Sequence, residues 1–82
     1  MKVKFKKLHH NAVIPAKATP QAAAYDLVSI EAAFIPVGEI VAIRTGLAIE
    51  IPEGWKGEIY ARSGLASKGV MVANSPGKID CD

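Results

Sequence analysis

An all-β fold, a sandwich or barrel of short strands, is what this 82-residue sequence predicts. Three observations carry the prediction. Lysines alternate with apolar residues through Lys2-Val3-Lys4-Phe5-Lys6, and alternation returns over residues 55–62, where Ile59 and Ala61 oppose Glu58, Tyr60 and Arg62. β-Branched, apolar runs occupy residues 40–44 and 47–51. Between them fall turn signals: Pro36-Val37-Gly38, Thr45-Gly46, Pro52-Glu53-Gly54 and Asn74-Ser75-Pro76-Gly77.

In chain order, the first strand is an edge strand whose lysines protect it from pairing, with a basic patch for anionic ligands as the alternative. Val13-Ile14 stops at Pro15, residues 19–24 form a small-residue linker, and Tyr25-Asp26-Leu27-Val28 is a brief strand. The strands at 40–44 and 47–51 follow. Trp55 packs over the turn before it. Residues 63–68 make barely one helical turn, with Ser63 as its cap. Residues 70–73 read as a buried strand that enters the hairpin at 74–77.

Composition sets limits. The length allows one small domain, which is marginal unless something pairs with it. A net charge of +2 is too mild for duplex nucleic acid. The apolar runs are too short for a membrane span, and the lysine-flanked N-terminus lacks a signal-peptide core. The single Cys81 excludes an internal disulfide and suits a reducing compartment, so cytoplasm is the expected location. Flanking acids disfavour a Cys81 thiolate nucleophile. His9 and His10, adjacent on a strand, point to opposite faces and do not share a metal.

Three segments can carry chemistry. Arg62-Ser63-Gly64 lies where a strand breaks into a turn. An arginine fork matches phosphate oxygens, a serine hydroxyl donates to a bridging oxygen, and glycine admits close approach. The alternative is a surface turn with an incidental arginine. Asn74-Ser75-Pro76-Gly77-Lys78-Ile79-Asp80 is a stiff hairpin whose backbone donors and acceptors can read a nucleobase edge. A donor facing uracil O4 would confront the amine of cytosine. Asp80 then sets a carboxylate beside the bound group, the alternative being an ordinary turn followed by exposed acids. Asp26, between apolar residues, is either a turn-capping acid or an indirect ligand of Mg2+, a cation that prefers oxygen.

Taken in order, Ala23-Ala24-Tyr25-Asp26-Leu27, then Arg62-Ser63-Gly64-Leu65-Ala66 with Lys68-Gly69, then Asn74 through Asp82 resemble the first three motifs of the trimeric dUTPase family. Residues 45–54, Thr-Gly-Leu-Ala-Ile-Glu-Ile-Pro-Glu-Gly, resemble it as well. The resemblance covers essentially the whole chain. It implies a β-jelly-roll subunit, a homotrimer with sites at subunit interfaces, and Mg2+-assisted hydrolysis of dUTP to dUMP and pyrophosphate. By the same resemblance Arg62, Ser63 and Gly64 hold the triphosphate. Asn74, Gly77, Lys78 and Ile79 meet uracil and deoxyribose, Asp80 orients the attacking water, and Asp26 helps position Mg2+-bound phosphates through water.

Departures from the family pattern are specific. Ala24 stands where glycine is usual, and the interval from Arg62 to Asn74 is one residue short. The family pattern continues with Tyr-Arg-Gly-Glu after Asp82. Residues 1–82 are therefore expected to be a partial dUTPase-like domain with motifs 1 and 2 and the first half of 3, without motifs 4 and 5, and poorly stable or weakly active alone. Rival readings are a dCTP deaminase of the same superfamily, which usually carries Arg-Ser-Ser, a non-catalytic nucleotide-binding or interaction module, and a capsid-like jelly roll.

Overall fold

The computed structural model describes residues 1–82. It contains strands β1 (Lys4–Lys7), β2 (Leu47–Glu50), β3 (Gly57–Ile59) and β4 (Gly77–Ile79), and one helical turn, α1 (Ser63–Ala66). β1 pairs with β2 and β3 with β4, giving two two-stranded sheets. The all-β expectation holds, in ribbons that do not close into a barrel. The chain forms two compact units, Phe5–Ile49 in one, Met1–Lys4 with Glu50–Asp82 in the other.

In the Phe5–Ile49 unit, segments distant in sequence converge on Gly46. Leu8 N–H donates to Gly46 C=O at 2.7 Å and Ile30 N–H to Arg44 C=O at 3.0 Å. The Asn11 amide donates to Ile30 C=O at 3.3 Å. Ala12 and Ile30 are buried there. Gly46 has φ +67°, and a Cβ built on it would lie 2.8 Å from His9 Cβ and 2.9 Å from Ile30 Cγ2. Only glycine meets both demands, the left-handed backbone and the close approach. Further along, Asp26 N–H donates to Ala16 C=O at 2.9 Å, an isolated antiparallel bridge.

The unit containing residues 50–82 is built on the antiparallel β3–β4 ladder, Gly57 opposite Ile79, Glu58 opposite Lys78, and Ile59 opposite Gly77. Ile51 is buried beneath it. A Cβ on Gly57 would lie 3.2 Å from Ile79 Cβ and 3.3 Å from Ile51 Cδ1, so the missing side chain lets the two isoleucines close over the backbone. The period-two pattern is realised as read: Gly57, Ile59 and Ala61 are half-buried, while Glu58, Tyr60 and Arg62 are exposed.

Several expected elements take another form. Residues 40–44 are not a strand, because the apolar pattern supplies a face but no neighbouring backbone to bond beyond the contact at Arg44. Residues 25–28 are reduced to the single bridge at Asp26. Residues 70–73 are neither strand nor buried; Met71 is 68% exposed. Trp55, by contrast, is partly buried as expected, 56% exposed, and its backbone N–H closes the turn on Pro52 C=O at 3.1 Å. His9 and His10 lie in a bend rather than on a strand, so their rings stack at 4.4 Å instead of facing apart. Ser63 is not the helix cap: Arg62 holds that position and no side chain caps the turn.

Candidate functional site

The β3–β4 ladder organises most of the residues singled out above. At the Ile59–Gly77 end the chain leaves β3 toward Arg62 and enters β4 from the hairpin. Ser75 N–H donates to Val72 C=O at 3.1 Å, and the Ser75–Pro76 peptide is cis. Gly77 is buried, and a Cβ on it would lie 3.5 Å from Asn74 Oδ1 and 3.7 Å from Ile59 Cβ. The Asn74 amide is thus folded over Gly77 at the base of the hairpin. The proline and glycine that marked this turn in the sequence mark it in the structure.

Arg62 is extended, with φ −70° and ψ 141°, and α1 begins directly after it. The first helical bond runs from Ala66 N–H to Arg62 C=O at 2.8 Å. The N–H groups of Ser63, Gly64 and Leu65 therefore have no intrahelical acceptor. The turn is closed by Gly69 N–H to Ala66 C=O at 3.0 Å and Val70 N–H to Leu65 C=O at 2.9 Å. This Schellman-type pairing needs the left-handed residue that Gly69 supplies at φ +88°. Arg62, Ser63 and Gly64 are all exposed.

Asp80 lies past the other end of the ladder. Burial alternates along β4, with Gly77 buried, Lys78 exposed, Ile79 half-buried and Asp80 exposed, so Lys78 and Asp80 share the solvent face. The structure thus brings Asn74, Gly77 and Ile59 together. Arg62 follows β3 beyond the Ile59–Gly77 end of the ladder, and Asp80 follows β4 beyond the Gly57–Ile79 end. Asp26 belongs to the other unit, half-buried at its bridge to Ala16, on an open cleft of about 230 Å³ that Lys17 and Val28 also line.

One network on the ladder's exposed face was not singled out from the sequence. The Lys56 ammonium lies 2.9 Å from a Glu58 carboxylate oxygen, and the Tyr60 hydroxyl donates to the other. The Tyr60 hydrogen bond, then the Lys56 bond, hold the Glu58 carboxyl below its ordinary range. Glu58 in turn raises Tyr60 and Lys56. The signal for it was the spacing of a cation, an anion and a phenol at every second strand position, which puts all three on one face.

No group of three or more His, Cys, Asp or Glu side chains could hold a metal ion.

Comparison with known proteins supplies the family. The chain belongs to the dUTPase family, whose model matches residues 10–82. A protein of Nautilia profundicola is 53% identical over 83 aligned positions, covering 100% of this chain and 58% of that protein. Similar proteins of Helicobacter hepaticus and Wolinella succinogenes are 48% and 46% identical, each aligned with 100% of this chain and with 52% and 56% of their own lengths. All three are named deoxyuridine 5'-triphosphate nucleotidohydrolase. The chain spans about half the length of the curated relatives it matches. No helix is long and apolar enough to cross a membrane.

Proposed function

We propose that this chain carries the pyrimidine- and phosphate-recognising segments of a dUTP nucleotidohydrolase that converts dUTP to dUMP and pyrophosphate. Family membership over residues 10–82 supports the reaction class. In this reading the hairpin from Asn74 to Ile79 meets the uracil edge and deoxyribose, and backbone polarity rejects cytosine. Lys78 adds positive charge beside the bound nucleotide. Asp80 accepts a hydrogen bond from water and aligns it with the α-phosphorus. The water oxygen bonds to phosphorus, the bond to the β-phosphate bridging oxygen breaks, and the water proton passes through Asp80 to solvent. A carboxylate is a weak base, so most of the acceleration comes from alignment and from offsetting phosphate charge.

Arg62, Ser63 and Gly64 grip the triphosphate, and Asp26 meets hydrated Mg2+ through water. When bound, that ion neutralises charge on the phosphates. The observation that carries the architecture is the separation along the ladder. Arg62 and Asp80 of one copy lie beyond opposite ends of β3–β4, which favours drawing them from different copies. In this reading a complete site draws Arg62 from one copy and Asp80 from another, in the homotrimer that the family resemblance implies. Large apolar side chains left exposed in the Phe5–Ile49 unit, Phe34 at 82% and Ile40 at 81%, agree with a chain that needs partners to cover them. A cytoplasmic location, with neither nucleic acid nor membrane as partner, fits the mild charge and the free thiol of Cys81.

The test is Asp80→Asn in the assembled protein. Pyrophosphate release from dUTP is expected to fall about 10²- to 10⁴-fold, while a non-hydrolysable dUTP analogue still binds. Turnover near the native rate contradicts the assignment, and ammonia released from dCTP redirects it to deamination.

A further inference from the structure

Asp80 shares its strand face with two lysines, and a third side chain decides where one of them goes. Lys78 is its neighbour along β4, two residues before it. The ladder's last pair is Gly57 with Ile79, and the next residue outward on each segment is Lys56 on one and Asp80 on the other. Directly opposed residues on one sheet face lie close enough for opposite charges to pair. Yet the Lys56 ammonium is bonded 2.9 Å away to Glu58, the next residue on its own strand face. Glu58 also accepts the Tyr60 hydroxyl and stands opposite Lys78 across the ladder. It is anchored on one side by a phenol and on the other by the Lys56 ammonium, with Lys78 adding positive charge across the ladder.

We propose that Glu58 is a positioning residue that holds Lys56 off Asp80, leaving the Asp80 carboxylate free to accept a hydrogen bond from water. The functional consequence rests on the role given to Asp80 above; the side-chain arrangement does not. Without Glu58, Asp80 at the same end of the ladder is the anion left for Lys56 on that face, and an ammonium there occupies the oxygens that water would use. Tyr60 matters because it fixes the Glu58 rotamer that receives Lys56. Exposed ion pairs are weak, so the redistribution is of modest size, about two- to five-fold in the population of the Lys56–Asp80 pair.

The experiment is NMR on the isotopically labelled chain in native, Glu58→Gln and Glu58→Gln/Lys56→Gln forms. Glutamine keeps the size of the exposed side chain, so the ladder survives, and the Gly57 and Ile79 amide signals verify this in each sample. Expected in Glu58→Gln are a stronger through-space contact between the Lys56 ε-methylene and the Asp80 β-methylene, by about two- to five-fold, and a shifted Asp80 carboxyl carbon. The double variant returns that carbon to its native position, which a general loosening of the ribbon would not do. An Asp80 carboxyl signal indifferent to Glu58→Gln overturns the proposal, as does a Lys56–Asp80 contact already as strong in the native chain. Because no turnover is measured, failure of dUTP hydrolysis and failure of this inference are separate outcomes.

Discussion

The Gly46 junction and the β3–β4 ribbon solve opposite problems. Around Gly46, backbone bonds from Leu8 and Ile30 and the Asn11 side chain draw distant segments together over Ala12 and Ile30. The ion pair beside it, Arg44 with Glu31 at 2.9 Å, is exposed to solvent. On the ribbon, three rungs over Ile51 carry a face of lysine, glutamate, tyrosine and aspartate turned to water. The first region spends its residues on closing a loop, the second on holding charges at a fixed spacing. Substitutions should therefore damage stability most in the first and chemistry most in the second.

Two alanines placed at glycines sharpen that contrast. At Gly46 a Cβ meets His9 Cβ and Ile30 Cγ2 well inside contact distance, on a left-handed backbone. Gly46→Ala is expected to cost about 2–4 kcal/mol in urea denaturation. At Gly57 the nearest atoms, on Ile79 and Ile51, are 3.2 and 3.3 Å away and belong to side chains that can yield, and the backbone is not left-handed. Gly57→Ala is expected to stay within about 1 kcal/mol of native, because reduced freedom of the unfolded chain offsets the tighter packing. Equal losses at both sites would erase the distinction between a closed junction and an adjustable ribbon.

The smallest effect is that of pH on the Lys56–Glu58–Tyr60 network. Glu58 is held below its ordinary 4.5, so its contribution is complete above that value and disappears as pH falls through the lowered one. Lys56 and Tyr60 are raised, so theirs is complete below their ordinary 10.5 and 10.0 and disappears as pH rises through the raised values. All three groups are solvated, and the change should be slight. Comparing native and Glu58→Gln denaturation midpoints across acid pH reads it: the difference between them should shrink toward pH 3, and a difference that grows there contradicts the network.

How much of this was legible in the sequence differs between the same two regions. The ribbon was readable because its information is local: alternation at residues 57–62 specified which side chains face water, and Pro76-Gly77 specified the hairpin. Two of the three family-like motifs begin beside those residues, at Arg62 and Asn74, while Ala23–Leu27 lies in the other unit. The Gly46 junction was not readable, because its bonds join Leu8, Ile30 and Arg44 across long sequence separations, and a Thr-Gly pair announces a turn without naming what packs against it. Residues 40–44 and 70–73 misled for a related reason. Apolar, β-branched runs state a preference, and a strand also needs a neighbouring backbone to bond. His9 and His10 were assigned to opposite faces by strand geometry that a bend does not obey. The Glu58 network was visible as a pattern, but its meaning depends on the register that sets Lys78 opposite Glu58, two rungs from Lys56.

The separation of Arg62 from Asp80 along the ladder is most directly tested by subunit complementation. Arg62→Ala and Asp80→Asn chains, each inactive alone, are mixed, dissociated and reassembled, and pyrophosphate release from dUTP is measured. If each site takes its arginine and its aspartate from different copies, equal mixing restores about one-quarter of the native rate, the fraction of sites with both residues intact. A mixture as inactive as its parents, under conditions where the native protein turns over, would mean that one chain supplies both residues to one site.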